Sequence, residues 1–184
     1  YYLYALTNDK SELDKAENSD SLYCFPNRLE DIAVLENAIY NGGNYAAYYL
    51  GCLFYDKGRW EESKELWEKC ADNIKLPTVY RNLSLVYYNK LKDGVLAIKA
   101  MEKAFSIDKS DARIFFELDQ LYKTLNFSLE KRLENMNENS DLLEKRDDLY
   151  TEYITLLNMN GEYDNAYNRI MNHNFHPWEG GEGK

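Results

Sequence analysis

Apolar residues recur along this chain at the three- and four-residue spacing of amphipathic helices. In the stretch that begins at Asn44, for instance, Leu50 and Phe54 lie one helical turn apart, and Trp67 follows within a second periodic run. Glycines and prolines are few, 9 and 3 in 184 residues, and they cluster between long runs rich in Glu, Lys and Leu. The pattern predicts an all-α protein of about ten helices.

The periodic stretches are themselves repeated. The steps from Ser63 to Ala97 and from Trp67 to Met101 are each 34 residues, and so is the step from Cys70 to Ala104. Two further units follow, and their corresponding apolar positions are Phe115, Leu118 and Tyr122, then Tyr150, Tyr153, Leu157 and Ala166. Because a single helix pair cannot bury its apolar face alone, we expect neighbouring pairs to stack.

Each unit is predicted to turn between its two helices. The turns are expected near Gly58, Gly94, Asn126 and Gly161. Small residues such as Gly51, Ser84, Ala97 and Ala166 recur where two helices must approach closely. The third unit lacks small residues in its second half, and we expect its second helix to be short or displaced.

The N-terminal part is less regular. Pro26 precedes a helical pattern in which Leu29, Ile32 and Leu35 share one face, and two glycines end it. This pattern predicts the second helix of a degenerate unit. Residues 1–18 look like the remnant of another helix pair.

The arrangement resembles the tetratricopeptide repeat, whose pattern is W-x2-L-G-x2-Y, then A-x3-F-x2-A, then P. The matching residues are Leu50, Gly51, Gly58 and Trp67 in the first unit and Leu83, Tyr87, Ala97 and Ala104 in the second. The resemblance covers roughly residues 44–171 and implies a right-handed α-solenoid of stacked antiparallel helix hairpins. Its segments would be degenerate repeats over 1–43, four helix pairs over 44–172 and a Pro/Gly-rich connector over 173–184.

A narrower resemblance comes from three stretches, "FPNRLEDIAVLENAI", "YYLGCLFYDKGRWEES" and "FHPWEGGEG". Together they are similar to the C-terminal repeat region of large bacterial proteins that join a β-rich, carbohydrate-enzyme-like domain to such repeats. This resemblance implies a bacterial context, with carbohydrate metabolism as one setting, and implies no reaction.

In the tetratricopeptide family, the first helix of each pair lines a concave groove, and the resemblance assigns candidate binding residues to that face. They are Tyr45, Tyr48, Tyr55, Arg81, Tyr88, Arg113, Phe116, Gln120 and Lys123. Aromatic rings with interspersed Arg, Gln and Lys fit an extended peptide or a helix, and the rings also suit stacking on sugars. The alternative is that the tyrosines pack as core with only their hydroxyls in water. Asn82 and Arg113 match two of the five positions of a carboxylate clamp, too few to predict one.

Charge narrows the choice of partner. The net charge of -10 argues against binding to nucleic acid or to an anionic membrane surface. No apolar run approaches the roughly 20 residues that span a bilayer. Cys24, Cys52 and Cys70 are an odd number at irregular spacing, which predicts free thiols in a reducing cytoplasm.

No catalytic or metal-binding motif is apparent. The many Glu and Lys residues form solvated helix faces, and no phosphate loop, serine-hydrolase elbow or zinc motif is present. His173 and His176 lie three apart, but Pro177 excludes a helix interior there and no third ligand joins them. We therefore expect no enzyme, no metal and no cofactor. The connector contributes two candidate loop contacts to the groove, His176 and Trp178.

The leading hypothesis is a non-catalytic interaction scaffold that binds a peptide segment or a partner domain, including one from its own parent polypeptide. The alternative is a helical accessory region that helps to form a carbohydrate site with another domain. A third hypothesis is self-association through helix faces exposed at the ends of the chain.

Overall fold

A computed structural model describes residues 1–19 and 25–176, and within these ranges the secondary structure is helical, with no β-strand. The chain divides into two compact units, Tyr1–Ala100 and Met101–Lys184. The first unit contains α1 (Tyr2–Thr7), α2 (Lys10–Glu17), α3 (Glu30–Tyr40), α4 (Asn44–Asp56), α5 (Trp60–Ile74) and α6 (Pro77–Asn89). Helix α7 (Gly94–Ile107) continues from the first unit into the second, which also contains α8 (Ala112–Thr124), α9 (Leu129–Glu138), a 3₁₀ helix (Ser140–Lys145), α10 (Asp147–Met159) and α11 (Tyr163–Asn172).

Each hairpin turn closes on a residue with left-handed backbone geometry. These residues are Gly58, Lys92, Asn126 and Gly161, with φ of 77°, 58°, 58° and 83°. The next backbone N–H donates back to the last turn of the preceding helix, as from Arg59 to the carbonyl of Phe54 at 2.8 Å. In the second hairpin the turn lies near Gly94, where it was predicted; the left-handed residue is Lys92, and Gly94 itself begins α7.

Small residues bring the two helices of the first hairpin into contact. The hydroxyl of Ser63 on α5 donates to the carbonyl of Gly51 on α4 at 2.8 Å. A Cβ atom on Gly51 would lie 2.4 Å from Nε1 of Trp67, so only glycine leaves room for that indole. The second hairpin repeats the contact, because Ser84 on α6 donates to the carbonyl of Ala97 on α7 at 2.8 Å.

The third hairpin replaces the small residues with buried charges. Asp119 takes the position of Gly51 and Ser84, and the guanidinium of Arg132 on α9 donates to both its carboxylate oxygens at 3.0 and 2.6 Å. The same guanidinium donates to Glu152 on α10 at 2.7 Å. Asp119 and Arg132 are both buried. As expected from the missing small residues, α9 is short, ten residues long, and a 3₁₀ helix follows it.

Successive hairpins are joined by a tyrosine hydroxyl on the first helix of the later one. Tyr87 on α6 donates to Glu68 on α5 at 2.6 Å. Tyr122 on α8 donates to Glu102 on α7 at 2.6 Å, and Tyr153 on α10 donates to Asn137 on α9 at 2.7 Å. Because the ring of each tyrosine is buried and its hydroxyl is paired, the bond sets the position of one helix against the next.

A carboxylate from an earlier helix caps the start of α4. Glu17, the last residue of α2, accepts hydrogen bonds from the backbone N–H groups of Asn44, Tyr45 and Ala46 at 2.8, 2.9 and 3.2 Å. The first N–H groups of a helix have no hydrogen-bond partner within the helix, so the carboxylate satisfies them. Its negative charge also interacts favourably with the positive end of the helix dipole. The irregular N-terminal helices therefore fix the position of α4.

None of the described helices is long and apolar enough to cross a lipid bilayer.

Substitution of Arg132 tests the buried charge cluster. Arg132→Leu removes the cation that pairs with the fully buried Asp119, and we expect the free energy of unfolding to fall by about 3–5 kcal/mol, as measured by urea denaturation. The matched control is Arg113→Leu, whose guanidinium pairs with Glu117 at the surface and whose loss should cost about 1 kcal/mol or less. The double variant Asp119→Leu/Arg132→Leu should recover part of the loss. Equal effects of the two single substitutions would contradict the assignment.

Candidate functional site

The candidate site in the first unit is the surface formed by the first helices α4 and α6. We call it the α4–α6 face, and its residues are Tyr45, Tyr48, Cys52 and Tyr55 on α4 and Thr78, Arg81, Asn82, Leu85 and Tyr88 on α6. The two helices meet where the side-chain amide of Asn82 lies 3.9 Å from the sulfur of Cys52. All these side chains except Tyr48 are half-buried.

A cavity of about 100 Å³ opens on this face. Its lining residues are Cys52, Tyr55, Trp67, Asn82 and Leu85, and we call it the α4–α6 pocket. The indole of Trp67 reaches it from α5 because Gly51 leaves the space, and it is held there by a hydrogen bond from its Nε1 to the carbonyl of Tyr48 at 3.1 Å. The ring of Tyr55 lies 5.8 Å from that indole.

The α4–α6 pocket carries no charge at neutral pH. Burial raises the pKa of the Cys52 thiol to about 11, so the thiol is protonated. Burial also raises the pKa of the Tyr48 hydroxyl, with a further contribution from the adjacent Cys52. A protonated thiol is a weak nucleophile, and these groups act as packing and hydrogen-bonding surface. Cys52 and the buried Cys70 are both free, as predicted; Cys24 lies outside the described residues.

The predicted groove residues of the first unit differ in exposure. Tyr45, Tyr55, Arg81 and Tyr88 are half-buried, so each presents part of its side chain to solvent. Tyr48 is only 3% exposed, and its ring packs against Tyr49 at 5.4 Å between centroids. The backbone carbonyl of Tyr48 therefore supports the pocket by accepting the hydrogen bond from Trp67, whereas its side chain contributes little exposed surface.

The predicted residues of the second unit lie on α8 and are more polar. Arg113 pairs with Glu117 at 3.2 Å, and Lys123 pairs with Glu152 at 2.8 Å. Phe116 and Gln120 are half-buried. The Nε2 atom of Gln120 is buried and has no hydrogen-bond partner among the described residues. This surface is a network of ion pairs with one aromatic ring.

The C-terminal histidines fold back on the start of α10. The His173 ring stacks on Tyr150 at 3.9 Å between centroids, and its nitrogens lie 2.9 Å from Asp147 and 3.2 Å from Glu144. The backbone N–H of His176 also donates to Asp147. Burial alone would raise the pKa of Asp147, but the hydrogen bonds from the two histidines outweigh it and hold that pKa below its usual value.

A polar cavity of about 580 Å³ lies beside these histidines, between the start of α10 and α11. Asn165, Asn168 and Arg169 contribute to its lining from α11. Trp178, the other candidate loop contact, lies outside the described residues. No group of three or more residues that could hold a metal ion occurs in residues 1–19 and 25–176.

The sequence pattern did not indicate the Trp67 indole or the Asn82 amide as pocket residues. Trp67 was recognised only as a repeat position and Asn82 only as a partial match to a clamp. The signal that was available is Gly51, because a glycine inside a helix opposite a tryptophan indicates a ring packed on bare backbone.

Comparison with known proteins identifies the fold. No protein-family model matches the chain. Among solved structures, it is similar to the MamA protein, with a TM-score of 0.60 and 15% identity over 92% of this chain and 87% of that one. It is also similar to YrrB, a TPR protein with an unusual peptide-binding site, with a TM-score of 0.57 and 16% identity over 91% and 79%. Residues 41 to the end of MamA from Desulfovibrio magneticus RS-1 match with a TM-score of 0.56 and 17% identity, over 76% and 80%.

At these identities the likeness establishes the fold alone. The fold is an all-α solenoid of tetratricopeptide-type helix hairpins, which confirms the prediction from the sequence.

Substitution of Asp147 tests how the histidine segment is held. Asp147→Ala removes the acceptor for His173 and His176, and we expect the backbone amides of residues 173–176 to exchange with deuterium about tenfold faster or more, because about 1.4 kcal/mol of local stability is lost. The matched control is Asp148→Ala, whose carboxylate pairs with Arg146 instead. Unchanged exchange in the Asp147 variant would contradict this role.

Proposed function

We propose that the chain is a non-catalytic protein-interaction scaffold that binds a peptide segment on the α4–α6 face. The α4–α6 pocket is the observation that carries the proposal. It is uncharged, and its lining is mainly apolar, with the rings of Tyr55 and Trp67 and the side chain of Leu85. A peptide side chain that fills it would be desolvated against the Trp67 indole, which is the arrangement of an interface anchor.

The amide of Asn82 fits the backbone of such a peptide. A carboxamide offers both donors and an acceptor, so it can pair with a peptide C=O and N–H together. Its own side-chain contact among the described residues is a long one to the sulfur of Cys52, at 3.9 Å. Binding a backbone therefore costs Asn82 no strong hydrogen bond.

The half-buried tyrosines extend the surface on either side of the pocket. Tyr45 and Tyr55 lie along α4, and Tyr88 lies at the far end of α6. Tyrosine provides a large contact area with few rotatable bonds, which is why it is frequent in binding surfaces. Among the residues that define the α4–α6 face, Arg81 is the one with a charged side chain. The affinity for a peptide would therefore come mainly from packing and hydrogen bonds.

The likeness to YrrB and the state of the cysteines also support the proposal. YrrB, which shares the fold, has a peptide-binding site, and peptide recognition by a helical solenoid is therefore compatible with this architecture. The raised pKa of Cys52 argues against covalent catalysis at the same site. The free thiols of Cys52 and Cys70 are compatible with the reducing cytoplasm that we propose as its location.

Selection from a random peptide library displayed on phage, followed by calorimetric titration of the synthesised peptides, tests the function. We expect selected peptides to bind the intact chain. The same peptides should bind the Asn82→Ala and Tyr88→Ala variants about tenfold more weakly. The control is Tyr40→Ala, because Tyr40 is an exposed tyrosine at the end of α3 and lies outside the face. Far-ultraviolet circular dichroism establishes that the variants remain folded.

Failure to select any peptide would contradict the proposal, and so would peptides whose affinity is the same for all three variants. The carbohydrate alternative predicts a different result. In that case oligosaccharides on a glycan array would bind the chain, the Tyr88→Ala variant would lose that binding, and selected peptides would not compete.

A further inference from the structure

Helix α11, the last of the described helices, has an apolar side that the described residues leave uncovered. Its stripe consists of Tyr163, Tyr167, Ile170 and Met171, which are 66, 63, 48 and 65% exposed. The spacing of these residues places them within one face of the helix. Ala166, which flanks these residues on the helix, is the buried residue through which α11 packs inward. We call this surface the α11 stripe.

The repeat shows what covers the same positions in the earlier hairpins. The second helices share a buried central residue, which is Ser63, Ala97, Arg132 or Ala166. Ile170 lies four positions after Ala166, and the residues at the same step in the earlier helices are Trp67 on α5, Met101 on α7 and Met136 on α9. All three are buried. On α5 and α9 the next first helix approaches this side, as the bonds of Tyr87 and Tyr153 show. An amphipathic helix is therefore the kind of element that packs here.

One position on α11 differs from the earlier second helices. Glu68, Glu102 and Asn137 accept the tyrosine hydroxyl of the following helix. The corresponding residue of α11 is Met171, which has no hydrogen-bonding group of that strength. A further hairpin of the same kind would leave a buried tyrosine hydroxyl unpaired, which is destabilising. The α11 stripe thus fits an apolar helix face without a hydroxyl donor.

We propose that the occupant is a second copy of the chain, which packs its own α11 stripe against this one about a two-fold axis. Tyr163, Tyr167 and Met171 are four residues apart and form one ridge, whose midpoint is Tyr167. In an antiparallel pair the two Tyr167 rings meet at the axis. Tyr163 of each copy then faces Met171 of the other, a favourable contact between an aromatic ring and a thioether sulfur.

The size of the surface is consistent with this occupant. A tyrosine side chain covers roughly 200 Å², so the two exposed tyrosines present on the order of 250 Å². Ile170 and Met171 enlarge the patch to roughly 400–500 Å², which is within the size range of the largest, often functional, apolar patch on a protein surface. A standard interface buries about 800 Å² per partner, and the remainder would come from the polar rim of the same helix.

Charge does not oppose contact between two copies at this helix. Acidic side chains outnumber basic ones in residues 101–184, so two copies repel each other in general. In α11 the charges of Asp164 and Arg169 cancel. The α11 stripe is therefore an apolar surface on a helix without net charge, so the general repulsion between acidic units is not increased by contact there.

Sedimentation equilibrium of the full chain from micromolar to millimolar concentration tests the proposal. We expect a reversible monomer–dimer equilibrium whose dissociation constant is about tenfold or more larger for Tyr167→Glu, because two carboxylates would meet at the axis. The control is Tyr40→Glu, since Tyr40 is 91% exposed on α3 and belongs to no stripe. Both side chains are exposed, so neither substitution should unfold the protein.

A second measurement locates the axis. Under mild oxidation the Tyr167→Cys variant should form an intermolecular disulfide in preference to the Tyr40→Cys variant, because only residues at the axis come within disulfide distance of their own copies. A chain that stays monomeric throughout the concentration range would overturn the proposal. A dimer that Tyr167→Glu leaves intact would overturn it as well.

Discussion

The structure depends on how closely the two helices of a hairpin approach. In the first hairpin, Gly51 permits the indole of Trp67 to lie on the backbone of α4, and Ser63 fixes that approach with a hydrogen bond to the Gly51 carbonyl. With any larger residue at position 51, the indole would have to move. The position of Trp67 in turn sets the base of the α4–α6 pocket. A packing constraint between two helices thus determines the shape of a surface on one of them.

The third hairpin meets the same constraint with different chemistry. Asp119 and Arg132 are far larger than glycine and serine, yet they fill the contact because their bidentate pairing satisfies both buried groups. Neither residue can be replaced alone, because the other would then be left as an unpaired charge in the interior. Glu152 and Lys123 extend the pair to α10 and to the surface of α8, so the second unit presents ion pairs where the first presents aromatic rings. The two units accordingly offer different chemistry to a partner.

The fold could be predicted from the sequence to a large extent, because helical periodicity and the 34-residue step are local signals. The turns were found near Gly58, Asn126 and Gly161 for the same reason. The turn near Gly94 was found as well, although its left-handed residue is Lys92, because a lysine with that geometry has no signature in the sequence. The cap of α4 by Glu17 was also out of reach, since residues 27 positions apart give no pattern that pairs them.

The candidate site could be predicted only in part. Periodicity placed Tyr45, Tyr55 and Tyr88 on the first-helix side, where they are half-buried. It could not distinguish them from Tyr48, which has the same spacing and is buried, because burial depends on what packs above a residue. The pocket itself arises between α4, α5 and α6 and needs the three-dimensional arrangement.

The most direct test of the central claim is to map where a selected peptide binds, by following the backbone amide signals of the isotopically labelled chain in NMR titrations. If the α4–α6 face is the binding site, the largest shifts will fall on Tyr55, Asn82 and Tyr88 and their neighbours. Shifts confined to the second helices or to α11, with none on α4 and α6, would contradict the account.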